Sequence, residues 1–261
     1  VLTGTTILIT GVASGIGLRA AELAMHMGAD VFGVDVKAAP RFAGAFLQAD
    51  LSDPSNIQDL PTRLPHGIDA LLNVAGLSGT LGAAKTLGVN FYGLRALSEA
   101  MAPRIRQGGA VVYVASIAGF GWRANLERAK GLAGVQGFPD VAAVCAEFGI
   151  PDEAGYPISK EVLLLWTLRA AHAPLFKSRG IRVNAVSPGP VETPILTEFR
   201  AVLGNERVNS DIDRVGRAGT AADVAPVVLF VASDMARWIN GANIPVDGGL
   251  EASVLASAMD F

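Results

Sequence analysis

The chain has 261 residues, 51% of them hydrophobic and 17% charged, with a formal net charge of −3 and a single cysteine, Cys145. That length suits one large domain with a well-buried core, and the mildly acidic balance argues against nucleic acid or an anionic membrane surface as partner. One cysteine excludes an intramolecular disulfide and fits a reducing, cytoplasmic setting, and no apolar run approaches the ~18 residues of a membrane span.

A β-branched run over residues 5–10 predicts the first strand. The stretch Thr10-Gly11-Val12-Ala13-Ser14-Gly15-Ile16-Gly17 follows it and opens a helix that runs to about Met27. Gly11 permits a tight turn, while Gly15 and Gly17 let backbone approach a pyrophosphate and let helix pack on strand. The free N–H groups at this helix start, from Ser14 through Ile16 to Gly17, suit an anion. An ordinary strand–helix turn can carry the same glycines. A second strand over 30–35 ends on Asp35, whose carboxylate can accept from ribose hydroxyls and would repel a 2′-phosphate. No basic residue stands at position 14 or 36, which favours NAD over NADP; Lys37 is either a surface charge or a counter-argument. Asp50-Leu51 follows a possible short strand and meets an adenine edge or, equally, Asp50 caps the next helix.

A short helix over 57–64 and a strand over 70–73 come next, then a long helix over 88–105 that contains Asn90. Asn is mildly unfavourable inside a helix, so it marks a functional position or a solvated one. A Val-rich strand over 110–116 ends on Ser116. Strand C-termini are where open α/β sheets bind ligands, and a hydroxyl there can donate to a developing alkoxide. A helix over 157–177 follows, with Tyr156 and Lys160 one turn apart on one face. A free tyrosine has a pKa of about 10, so work near neutrality needs about 4 kcal/mol of extra stabilisation of its phenolate. One cation at ~4 Å in an effective dielectric of ~20 supplies about that amount. Pro157 is comfortable only in a first helical turn, so the helix should begin or restart close to Tyr156. A strand over 182–187, a helix over 220–233 capped by Thr220 with Asp223 near its positive end, and a strand over 243–246 complete the chain. Strand and helix in alternation predict a doubly wound, Rossmann-type parallel sheet in a single domain. The three histidines show no metal-ligand spacing, so no metal is expected. Cys145, among Ala and Val, reads as a small buried residue.

Together, Gly11-x-x-x-Gly15-x-Gly17, Asn73-Val-Ala75-Gly76, Asn90, Ser116, Tyr156-x-x-x-Lys160, Pro188-Gly189 and the tail Asn243-Ile-Pro-Val-Asp-Gly-Gly249 resemble the short-chain dehydrogenase/reductase family over nearly the whole chain. The resemblance implies an NAD-dependent oxidoreductase that moves a hydride between the cofactor and a secondary alcohol or ketone. It implies Tyr156 as general acid/base, with Lys160 binding the nicotinamide ribose and lowering the tyrosine pKa. Ser116 would hold the substrate oxygen, and Asn90 a water leading protons from Lys160 to solvent. Asn73 would brace the sheet beside the cofactor, and Pro188, Gly189, Val191 and Thr193 would wrap the nicotinamide and its phosphate. Val74 stands where the family often has a second Asn. Relatives are usually homo-oligomers, which leaves a dimer or a tetramer open.

Residues 117–155 form a longer connection than most of that family carry, similar to the bacterial 3α-hydroxysteroid dehydrogenase/carbonyl reductase branch. A loop of this length without structure would be unusual, so 125–148 should hold one or two short helices. This insertion roofs an apolar pocket through Phe120, Trp122 and Phe138, forms a subunit contact, or alters a helix interface; Ile117 would also reach substrate. Residues 192–214, with Leu196, Phe199 and Leu203, suit an amphipathic lid helix or a stripe packed on the body. Few charges near the expected pocket favour a bulky neutral substrate: a steroid, an aryl carbinol or an alicyclic ketone. The glycine spacing and the lack of a second domain argue against a sugar-nucleotide epimerase, and a non-catalytic NAD-binding regulator on the same fold is the remaining alternative.

Overall fold

The computed structural model describes residues 2–259, apart from the side chain of Leu203. In chain order the elements are β1 (Thr6–Thr10), α1 (Gly15–His26), β2 (Asp30–Asp35), β3 (Ala45–Gln48), α2 (Pro54–Arg63), β4 (Ile68–Asn73), α3 (Gly82–Leu87), α4 (Leu94–Met101) and β5 (Ile105–Val114). They continue with α5 (Leu126–Gly134), α6 (Val141–Glu147), α7 (Gly155–Ala170), α8 (Pro174–Lys177), β6 (Arg182–Pro188), β7 (Val191–Glu192), α9 (Pro194–Leu203) and α10 (Asn205–Val215). The last are β8 (Gly219–Thr220), α11 (Ala221–Ala232), β9 (Asn243–Val246) and α12 (Leu250–Ala258).

Seven strands form one parallel sheet in the order β3-β2-β1-β4-β5-β6-β9. Side chains alternate across it, so each central strand feeds two cores. Leu8, Leu71, Val111 and Tyr113 enter one core, shared with α2, α4 and α7. Ile7, Ile9, Leu72 and Val112 enter the other, shared with α1 and α11. Each such buried side chain contributes roughly 1.5–3 kcal/mol, and burial on both faces explains the apolar composition. The chain reverses its winding between β1 and β4, where strand order leaves a crevice at the strand C-termini.

Several elements differ from the sequence-based expectation; β5 ends at Val114, so Ser116 lies two residues beyond it and caps the turn that follows. The helix expected over 88–105 is α3 and α4 joined by a π-helical turn, Gly88–Gly93. It ends before Ile105, which begins β5; a Cβ on Gly109 would sit 2.5 Å from Ile105 Cγ2 and 2.7 Å from the Asp69 carbonyl, so glycine is what lets this stretch pair as a bulged strand. The helix expected over 157–177 stops at Ala170, and Pro174 opens the separate α8. The helix after Asp50 is capped by Asp53, which accepts from the Ser55 N–H at 2.8 Å, rather than by Asp50.

The insertion folds as α5 and α6 and is fastened to the body. Buried Glu161 on α7 accepts from Asn125 at 2.7 Å and pairs with Arg128 at 2.9 Å. Buried Arg95 on α4 donates to the Val135 carbonyl at 2.8 Å and to that of Gly137, with the Phe91, Tyr92 and Trp166 rings 5.2–5.6 Å from its guanidinium. The insertion thus covers α4 and α7.

Candidate active site

The glycine-rich turn forms a cradle that larger residues would fill. Gly11 has φ of 81°, and a Cβ there would stand 2.9 Å from the Ala75 backbone. A Cβ on Gly17 would lie 2.1 Å from the Gly11 carbonyl oxygen. Ser14 precedes α1 without bonding to it through its side chain, so the first-turn N–H groups of Gly15, Ile16 and Gly17 remain available to an anion. Thr10 Oγ1 accepts from the N–H groups of Val74 and Ala75, both at 3.0 Å, and so shapes the facing wall.

Asp35 ends β2 with both carboxylate oxygens engaged: Oδ2 accepts from the Ala13 N–H and Oδ1 from the Lys37 N–H, each at 2.9 Å. Asp50 accepts from Ser52 and pairs with Lys85 at 2.9 Å. Burial works against its charge, yet the Ser52 bonds and Lys85 outweigh it and hold the carboxyl below its ordinary range.

Tyr156 and Lys160 lie one turn apart at the start of α7, which begins at Gly155 because Pro157 fits a first turn. Both are buried, and Lys160 Nζ donates to the Val114 carbonyl at 2.9 Å, 5.7 Å from the Tyr156 ring centroid. Burial pushes the tyrosine up to about 12, with the Ser116 hydroxyl pulling the other way. Burial also draws Lys160 down to about 7. The phenol is therefore not acidified by this ammonium alone, because desolvation acts on both partners and weakens the charge that was to do it. Ser116 accepts from the Ala118 N–H at 3.1 Å. Asn90 sits in the π-helical turn, accepts from the Leu77 N–H at 2.7 Å, and donates to the Leu77 carbonyl and to Ser159.

One cleft of about 520 Å³ gathers Gly11, Ser14, Gly15, Ile16, Gly17, Asp35, Asp50, Leu51, Ala75, Gly76, Ser116, Tyr156, Lys160, Pro188, Gly189, Val191, Thr193 and Phe199. Asn73 and Asn90 stand behind its wall: Asn73 donates to Ser98 at 2.9 Å and ties β4 to α4. Ile117, Phe120, Trp122 and Leu196 do not line it. The turn Ile117–Arg123 runs so close to α7 that a Cβ on Gly119 would lie 2.7 Å from the Lys160 carbonyl, which carries these side chains past the cleft. Trp122 and Phe138 pack on the main core instead, and Leu196, on α9, is buried. Of Leu196 and Phe199, only Phe199 reaches the site, its ring 4.6 Å from that of Tyr156; the side chain of Leu203 lies outside the described residues. Sequence reasoning missed Leu77, Thr80, Lys85, Ile195 and Glu198, which also line the cleft. Glu198 places a charge where few were expected.

The site thus joins a dinucleotide cradle to a phenol, a hydroxyl and an amine beside a pocket. A family profile described as short chain dehydrogenase matches residues 5–127, and one described as Enoyl-(Acyl carrier protein) reductase matches residues 140–251. Coniferyl-alcohol dehydrogenase of Pseudomonas sp. (strain HR199 / DSM 7063) is 42% identical over 97% of this chain and 98% of its own length. 3-alpha-hydroxysteroid dehydrogenase/carbonyl reductase of Comamonas testosteroni is 29% identical over 94% of this chain and 96% of its own. The crystal structure of the 3-alpha-hydroxysteroid dehydrogenase from Pseudomonas sp. B-0831 complexed with NADH superposes with a TM-score of 0.83 at 30% identity, covering 97% of this chain and 99% of that one. The chain belongs to the short-chain dehydrogenase/reductase family of oxidoreductases.

Proposed function

We propose that this protein is an NAD(H)-dependent dehydrogenase that interconverts a bulky, neutral alcohol and its carbonyl compound, with aryl alcohols first among the candidates. The observation that carries the reading is the convergence of Ser116, Tyr156 and Lys160 on the cleft that the Gly11–Gly17 cradle and Asp35 also line.

The first-turn N–H groups of α1 suit a pyrophosphate, and the Asp35 carboxylate, clamped by two backbone N–H groups, suits ribose hydroxyls better than a phosphate. The cofactor, when bound, supplies the hydride acceptor and a positively charged ring. Tyr156 holds the proton exchanged with the substrate oxygen, and Ser116 donates a hydrogen bond to that oxygen. Lys160, fixed by the Val114 carbonyl, lines the same cleft and has protons left to donate to the cofactor ribose. Phe199 covers the Tyr156 ring and keeps water from it.

The apolar side chains of Leu77, Leu81, Ile195 and Phe199 form the substrate half. The 42% identity to a coniferyl-alcohol dehydrogenase favours an aryl alcohol, and the similarity to hydroxysteroid dehydrogenases supports a secondary alcohol of larger ring systems as the second reading. NADH formation from a panel of aryl, alicyclic and steroid alcohols tests the proposal. Tyr156→Phe should cut turnover by about 10²–10⁴-fold while NADH binding persists. Cofactor binding with no turnover of any alcohol would instead indicate a regulatory NAD-binding protein.

A further inference from the structure

Glu198 and Ser78 join two segments that both pack against Tyr156. In one, the chain after β4 passes Tyr156 so closely that a Cβ on Gly79 would stand 3.3 Å from the tyrosine Cβ. In the other, α9 brings Phe199 against the same ring. Between them the buried Ser78 hydroxyl donates to Glu198 Oε2. Ser78 is the only donor to this carboxylate among the described residues, and Glu198 has no ion pair there. Glu198 is exposed and lines the cleft, which leaves Oε1 open to a hydrogen-bond donor entering from solvent.

Glu198 is also the one carboxylate in the substrate half, since the other acids of the cleft, Asp35 and Asp50, belong to the cofactor half. An anion fixed at the edge of an apolar pocket favours a hydroxyl that can donate to it and disfavours a second anion. We propose that Glu198 is a specificity-determining residue that accepts a hydrogen bond from a hydroxyl at the end of the substrate remote from the reacting carbon, such as the phenol of an aryl alcohol. It turns away substrates that carry a carboxylate at that end. Ser78 holds Oε2 and leaves Oε1 free to accept from that hydroxyl. This inference rests on the aryl-alcohol reading.

The test compares kcat/KM for para-hydroxy-, para-methoxy- and para-carboxycinnamyl alcohol in the wild type, Glu198→Gln and Ser78→Ala. Ratios taken within one variant cancel any loss of folded protein. The wild type should prefer the para-hydroxy over the para-methoxy alcohol. Glu198→Gln, which keeps the shape and removes the charge, should lower that preference about tenfold. It should also raise the para-carboxy alcohol about tenfold relative to the para-methoxy one. Ser78→Ala, which keeps the charge, should leave the direction of both preferences intact. Ratios unmoved by Glu198→Gln would overturn the proposal and leave the aryl-alcohol reading standing. A wild type that oxidises none of the three would overturn both.

Discussion

The amine of Lys160 should leave a measurable signature on stability. It is 4% exposed, donates to the Val114 carbonyl at 2.9 Å, and titrates at about 7 rather than at its ordinary 10.5. Between those two values the unfolded chain binds more protons at this position than the folded protein does. Stability from this site therefore rises with pH across that window and is lowest below pH 7, where both states are protonated and the folded one holds a buried charge. From about pH 6 to about pH 9 the gain is about 3 kcal/mol. Lys160→Met keeps most of the volume and removes the titration. It also leaves the Val114 carbonyl without that donor, a loss of about 1–3 kcal/mol that does not depend on pH. Urea unfolding of both proteins at several pH values isolates the effect, because every other titrating group is shared. The wild type should gain about 3 kcal/mol on the variant between pH 6 and pH 9. A difference that stays constant over that range would refute the reasoning, since the amine would then be no harder to charge in the fold than in water.

Three further outcomes follow from the geometry. Asp35→Ser removes a carboxylate from the ribose end of the cleft; two charges ~5 Å apart at an effective dielectric of ~20 repel by about 3 kcal/mol. The ratio of kcat/KM for NADP⁺ to that for NAD⁺ should therefore rise about 100-fold, and an unchanged ratio would show that Asp35 does not set cofactor choice. Tyr156, pushed up to about 12, is a proton donor at neutral pH and becomes a base only as pH rises. Alcohol oxidation should accordingly accelerate with pH between about 6 and 9, by at most about tenfold per pH unit, and a flat profile in that range would argue against a tyrosine base. Glu161→Gln weakens the buried clamp to Asn125 and Arg128 and should lower unfolding free energy by about 1–3 kcal/mol with little change in turnover, since the insertion it holds lies off the cleft.

What the sequence conveys about this fold depends on how local each feature is. Strands Asp30–Asp35 and Asn243–Val246 are legible to the residue, because β-branched runs bounded by turn residues carry their own signal. The segment Ile105–Gly109 is not, because Ile-Arg-Gln-Gly-Gly becomes strand only by pairing with β4 around the Gly109 bulge. The proposed cofactor half of the site follows the same rule. Its glycines occupy a single turn, and Tyr156 and Lys160 share one helix face, so the spacing of the chemistry is written along the chain.

The proposed substrate half has no such spacing. It is assembled from residues 77–81 and 194–199, two segments that meet only after folding, so Ser78 and Glu198 belong to no local pattern. The aromatic residues that composition made attractive, Phe120 and Trp122, are carried away by the tight passage of Gly119 along α7, a contact that only tertiary structure reveals. The division has a physical reason. Hydride and proton transfer demand fixed distances between few atoms, which rigid elements provide, whereas the apolar end of the pocket is shaped where one loop and the first turns of α9 meet. Exchanging residues 77–81 and 194–199 for those of a relative with another substrate should therefore redirect alcohol preference while the NAD⁺ to NADP⁺ ratio stays as it was. A shift in cofactor ratio would show that these two segments also bear on the cofactor end of the cleft.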